Sequence, residues 1–367
     1  MSKIDVGLIL GKSFTVLKKQ PFIFLPFIVL AFLFAGFMVI TFSYTIEMTQ
    51  ALQSFSSEYQ YNYTASPSEV FQDMTGMFRG MANLFIISMT GSFLLLIIQS
   101  LVYAGAVSMA WDVIEGRTTS IESFINALIS KGITVILSTI AALLIVFLPG
   151  IMGIFILLIG ALSMSEAVIT IAVIFFISQI IWLLAILFLL SSKIPRIVYA
   201  IITALTAAFI ILGIFFIPVL LLAIPFFFLL FILVMISMII ISFTIDYVIP
   251  SAVVIDNTGV VDSLKKSFTF AEEHTLDMGF LIVIAVVLSI AASTPFMVFS
   301  FALQMESITG SDFSGNAQVY VPTTSDLIIQ IIQTFIITGF LTPVILLMFV
   351  LGYVNAVKGK EILEKLN

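Results

Sequence analysis

The chain has 367 residues, of which 61% are hydrophobic and 9% charged, with a formal net charge of −6. A soluble domain carries roughly a quarter charged residues, so this composition reads as a membrane protein, and the acidic balance excludes nucleic acid as a partner. Cysteine is absent and histidine occurs once, which excludes disulfides, thiol catalysis and Cys- or His-based metal sites; no metal and no cofactor is expected.

The first element, residues 1–20, reads as an amphipathic surface helix. Val6, Leu10, Phe14 and Leu17 share one helical face, and Lys3, Lys12, Lys18 and Lys19 flank it, as in a helix lying on an anionic surface. Pro21 marks the turn into a first span at 22–44. That apolar run is too long for a signal h-region of about 7–15 residues, so it is expected to stay as an anchor. Residues 45–83 turn polar and carry the sequon Asn62-Tyr63-Thr64, a glycosylation acceptor if the loop lies outside. A second span is expected at 84–110, closed by Trp111 at the interface.

A second surface helix is expected at about 117–130, with Ile121, Phe124, Ile125 and Leu128 on its apolar face. A third span follows at 133–158, kinked at Pro149-Gly150, and a fourth at 168–190 ends on the basic turn Lys193-Ile194-Pro195-Arg196. Residues 197–245 hold no charge. As one helix they would reach roughly 73 Å at 1.5 Å per residue, so they read as a hairpin, 197–217 and 220–245, turning between Pro218 and Pro225. Then come a third surface helix at 258–273, a span at 280–302, an acidic loop at 304–326 and a last span at 327–354.

The expected fold is therefore all-α, a polytopic transmembrane helix bundle in one domain (21–367) with cytoplasmic amphipathic surface helices. With the N-terminus in the cytoplasm, every Lys and Arg except Arg79 of the 14 falls on the cytoplasmic side, as the positive-inside rule requires. Eight spans satisfy the rule; six or ten, a hairpin fewer or more, satisfy it equally.

Lys12-Ser13-Phe14-Thr15 recurs as Lys266-Ser267-Phe268-Thr269, and Val6 and Leu10 align with Val260 and Leu264. An internal duplication explains this, and so does convergence of two interfacial helices on the same chemistry. Asp256-Asn257-Thr258-Gly259 reads as a turn, with Pro250 ending the preceding helix and Asn257 or Thr258 capping the next. The stretch from Ile249-Pro250 through Asp256-Asn257 and Gly259 to Lys266-Ser267-Phe268, with Lys12-Ser13-Phe14 and Pro149-Gly150-Ile151, resembles the membrane domain found in some glycerophosphoryl diester phosphodiesterases and related multi-pass proteins of bacteria and archaea. The resemblance implies a membrane domain without the hydrolase, since no His/Glu/Asp cluster accompanies it.

Ionisable groups are nearly absent from the spans, whereas enzymes and pumps working inside the bilayer carry them. Asp112, Glu166 and Asp246 fall at expected span ends and His274 beside Glu272-Glu273, all read as solvated. Gln179, Gln330 and Gln333 would either bond between helices or line a polar cavity. The expected function is non-enzymatic: a scaffold, lipid-organising factor or accessory subunit of the cell (plasma) membrane, both termini cytoplasmic. Lys12, Ser13, Lys18, Lys19, Lys265, Lys266 and Ser267 would contact lipid headgroups or a cytoplasmic or membrane protein partner. The alternative is a transporter or flippase for an apolar or amphipathic substrate.

Overall fold

The computed structural model describes residues 5–61, 67–163, 239–309, 322–364 and 366. Asn62, the Glu166 turn, the span 168–190 with Gln179, the 193–196 turn and the chain from 197 to 238 lie outside the described residues. Every regular element among the described residues is helical. In chain order they are α1 (Val6–Lys19), α2 (Phe24–Tyr61), α3 (Pro67–Ile114), α4 (Ile121–Ser163), α5 (Ile239–Ile255), α6 (Val260–Glu273), α7 (Thr275–Thr309), α8 (Thr324–Lys358) and α9 (Lys360–Glu364).

Five stretches among the described residues are long and apolar enough to cross a membrane: Pro21–Leu52, Gly80–Ile114, Ile121–Ile145, Thr275–Leu303 and Thr324–Lys358. Each overlaps an expected span, although the third begins at Ile121 rather than at 133, and large side chains such as Phe32, Phe85, Phe280 and Met297 stand exposed on them. Exposed apolar surface of that extent is a liability in water and is solvated by lipid.

Several boundaries differ from the sequence reading. The polar stretch after the first span is largely helical, because α2 continues to Tyr61 and α3 begins at Pro67. The surface helix expected at 117–130 is the first part of α4, which runs unbroken from Ile121 through Pro149-Gly150 to Ser163.

Pro250 does not end its helix. α5 passes through a π turn at Thr244–Val248, where the Ile249 amide bonds back to the Thr244 carbonyl, and Pro250 follows at the start of the next α turn. A proline lacks the N–H for a normal i−4 bond and its ring crowds that carbonyl; the wider turn absorbs both effects. The same device recurs in α8, where the π turn Phe335–Leu341 precedes Pro343 and the Thr342 hydroxyl donates to the Ile337 carbonyl at 2.9 Å. Gly339 and Pro343 therefore leave α8 continuous.

The chain divides into two compact units. Among the described residues, unit 1 comprises 5–20, 103–163, 239–283, 346–364 and 366. Its core joins Ala104, Val135, Ala142, Ile145, Ile245, Ile249, Val253, Leu264 and Phe268 from α3, α4, α5 and α6. Tyr247 stacks between Tyr103 at 5.6 Å and Phe349 at 5.1 Å, geometry that adds to simple burial. The buried hydroxyls of Ser138 and Ser263 share a 2.9 Å hydrogen bond between α4 and α6.

Among the described residues, unit 2 comprises 21–61, 67–102, 284–309 and 322–345. In it α2 packs on the π turn of α8: Phe32 meets Phe335 edge-on at 4.6 Å, Gly339 faces Ile28 and Ala31, and the Thr334 hydroxyl donates to the Met38 sulfur at 3.3 Å. The described start of α8 is fixed by a capping box, Thr323 and Asp326 each bonding the other's backbone amide.

Candidate functional site

A cluster of charged residues in unit 1, Lys131, Asp256, Lys266 and Lys358, forms where α5 gives way to α6. α5 ends on Asp256, Asn257 takes the left-handed conformation (φ 54°), and Gly259 begins α6 in extended conformation. The turn is the expected one; its capping is not. The Thr258 hydroxyl bonds backward to the Ala252 carbonyl at 2.9 Å, and Gly259, with no side chain to offer, is the cap residue of α6. The Lys131 ammonium of α4 donates to the Asn257 side-chain carbonyl.

Asp256 is the hub. Its carboxylate, only 6% exposed, accepts from the Tyr353 hydroxyl at 2.8 Å and pairs with Lys266 at 3.1 Å and Lys358 at 3.4 Å. One acid thus joins the α5–α6 turn to α6 and to the end of α8. Burial pushes its carboxyl up, but the Tyr353 hydroxyl, Lys266 and Lys358 outweigh that and hold it below the ordinary value of 3.8. A carboxyl depressed by folding adds stability that is complete above its unfolded pKa and is lost as pH falls through its folded one. Wild type is therefore expected to lose its melting advantage over Asp256→Asn only below about pH 3.8. Thermal melts in detergent across that range check this, and a gap that closes near neutral pH would contradict it.

Beside this hub lies a surface cleft of about 380 Å³, bounded by α6 residues from Lys265 to His274 and by Tyr353, Ala356 and Val357 of α8. His274 is not solvated as its glutamate neighbours suggested. It is the C-cap of α6, 9% exposed, packed on the Phe270 ring at 5.2 Å with Nδ1 3.8 Å from the Asp277 carboxylate.

The expected headgroup residues separate. Lys18, Lys19, Lys265 and Lys266 are exposed, but Lys266 is committed to Asp256. Lys12 is half-buried and donates to the Leu366 carbonyl at 2.7 Å, tying α1 to the chain end. Ser13 and Ser267 are fully buried and out of reach of any headgroup; Ser13 bonds the Ile9 carbonyl within its own helix. The faces shift too: α1 buries Ile9, Ser13, Val16 and Leu17, and Phe14 is 53% exposed although its counterpart Phe268 is buried. Protein, rather than lipid, covers the serine side of both helices. Asp112 pairs with Arg117 at 3.5 Å, and Asp246 is half-buried in the π turn of α5. Gln330 is exposed and Gln333 half-buried on α8, and neither borders the cleft.

The partners of Asp256 were missed because Tyr353 and Lys358 are about a hundred residues away. The signal in the sequence that lies near them is Lys358, a base just past the expected last span. No family model, curated protein or solved structure matches the chain.

Proposed function

We propose that the chain is a non-catalytic, lipid-organising scaffold or accessory subunit of a cell membrane, with about eight spans and both termini cytoplasmic. The observation that carries this reading is the placement of lysines where apolar helices end. Lys358 closes α8, Lys18 and Lys19 close α1 just before the Pro21–Leu52 stretch, and Lys265 and Lys266 stand on α6 directly after the apolar α5. Ends of that kind lie at headgroup depth, where each lysine near an anionic surface contributes about 1 kcal/mol. The resemblance of residues 249–268 to the phosphodiesterase-associated membrane domain supports the same class.

The test is lipid retention by the full chain purified in detergent. Replacing Lys18, Lys19 and Lys265 together by Glu is expected to lower co-purified anionic lipid at least about tenfold, from the loss of three attractive charges. Retention equal to wild type sinks the proposal.

A further inference from the structure

We propose that the cleft beside Asp256 binds a phosphate ester that also carries a primary ammonium, the headgroup chemistry of an ethanolamine phospholipid. The inference rests on the lipid-organising reading above and names the ligand class of its cleft.

The cleft presents opposite charges that the protein leaves uncommitted. Asp256 is satisfied by Tyr353, Lys266 and Lys358. Lys265 and Glu273, both exposed and both on the cleft, have no ion pair among the described residues, and the Thr269 hydroxyl between them has no hydrogen-bond partner there. These three lie at i, i+4 and i+8 of α6, one face of the helix, with Lys265 and Glu273 about 12 Å apart along its axis. Their long side chains can lean inward on a dipolar group shorter than that span, the phosphate toward Lys265 and the ammonium toward Glu273, with Thr269 offering a hydroxyl to either. A ligand of one sign would leave one of the two charges facing its own kind.

The walls favour a primary over a quaternary ammonium. A quaternary ammonium is recognised by open aromatic faces, but Phe270 and Tyr353 are buried against each other at 5.2 Å. A primary ammonium instead needs acceptors, which Glu273 supplies. The apolar walls, Ala356 and Val357, stand on the last turn of an apolar helix, where the carbon chain of a lipid could continue toward the hydrocarbon.

The test uses the full chain in detergent, with native mass spectrometry of adducts formed with ethanolamine, glycerol and choline phospholipids of matched acyl chains. Wild type is expected to bind the ethanolamine lipid several-fold more tightly than the other two. Glu273→Gln should erase the preference over the glycerol lipid while keeping the glycerol adducts, and Lys265→Gln should weaken the ethanolamine adduct about tenfold, the worth of one charged hydrogen bond. Excess soluble phosphoethanolamine distinguishes the sources: displacement of the lipid supports the headgroup alone as ligand, and persistence of the adduct supports the whole lipid. Equal binding of the ethanolamine and glycerol lipids, or a preference that survives Glu273→Gln, overturns this inference and leaves the lipid-organising role intact. Absence of every lipid adduct overturns both.

Discussion

Asp256→Ala should lower the stability of the chain by about 2–3 kcal/mol, read as a drop in thermal midpoint in detergent. The substitution leaves the Tyr353 hydroxyl, on a residue only 1% exposed, without its acceptor and removes the partner of two ammonium groups. Hydrogen bonds to a charged group contribute about 1.5–3 kcal/mol, and removing one partner leaves the other's desolvation uncompensated. The figure stays below the about 3–5 kcal/mol of a fully buried pair, because the Lys266 and Lys358 side chains are 50% and 38% exposed and recover hydration. Tyr353→Phe, which deletes only one donor to that carboxylate, should cost about 1.5 kcal/mol, the lower end of the range for a bond to a charged group. A change below about 0.5 kcal/mol for Asp256→Ala would mean that the α5–α6 turn and the end of α8 hold together without this acid.

Gly105→Ala should destabilise by about 1–3 kcal/mol through overpacking. A β-carbon on Gly105 would occupy the space of the Phe124 ring, with conflicts reaching back to its first ring carbon, so swinging the ring tip aside is not enough. Phe124 lies in the first turns of α4, so the clash pushes α4 away from α3. The double variant Gly105→Ala with Phe124→Leu should recover part of the loss, because the neighbour then yields the volume. Gly36→Ala provides the contrast: nothing lies within 4 Å of the added carbon, and removing a glycine from a helix interior should stabilise by about 0.5–1 kcal/mol. Equal effects at the two glycines would show that helix propensity, not packing, governs Gly105.

Much of the fold was legible because a bilayer allows so few backbone solutions. Apolar runs at 22–44, 84–110, 133–158, 280–302 and 327–354 all reappear in long apolar helices, since length and hydropathy alone specify a spanning helix. The Asp-Asn-Thr-Gly turn was legible from residue type, and Asn257 does take the left-handed conformation. Pro250 misled because proline normally signals a helix end, and a π turn leaves no mark in composition. Ser13, Ser267 and His274 misled for a different reason. Their charged neighbours in sequence suggested water, but each step along a helix rotates by about 100° and carries the next residue from an exposed face to a buried one. The hub at Asp256 stayed hidden because two of its partners, Tyr353 and Lys358, come from a helix distant in sequence, and no periodic pattern records that.

The π turn at Phe335–Leu341 also changes how the last helix should be read on a helical wheel. Each residue of an α-helix advances about 100°, and a π turn fits one residue more into its loop than the α pattern expects. The residues of unit 2 before and after that turn, 324–334 and 342–345, are therefore out of phase with each other. A polar stripe drawn from Gln330 and Gln333 forward to Pro343 joins two different sides of the helix. Before the turn Ser325, Ile328, Gln330 and Ile332 stand exposed, whereas Thr342 to Ile345 after it are all buried. Any pore or groove inferred by extending that stripe would be an artefact of the wrong pitch.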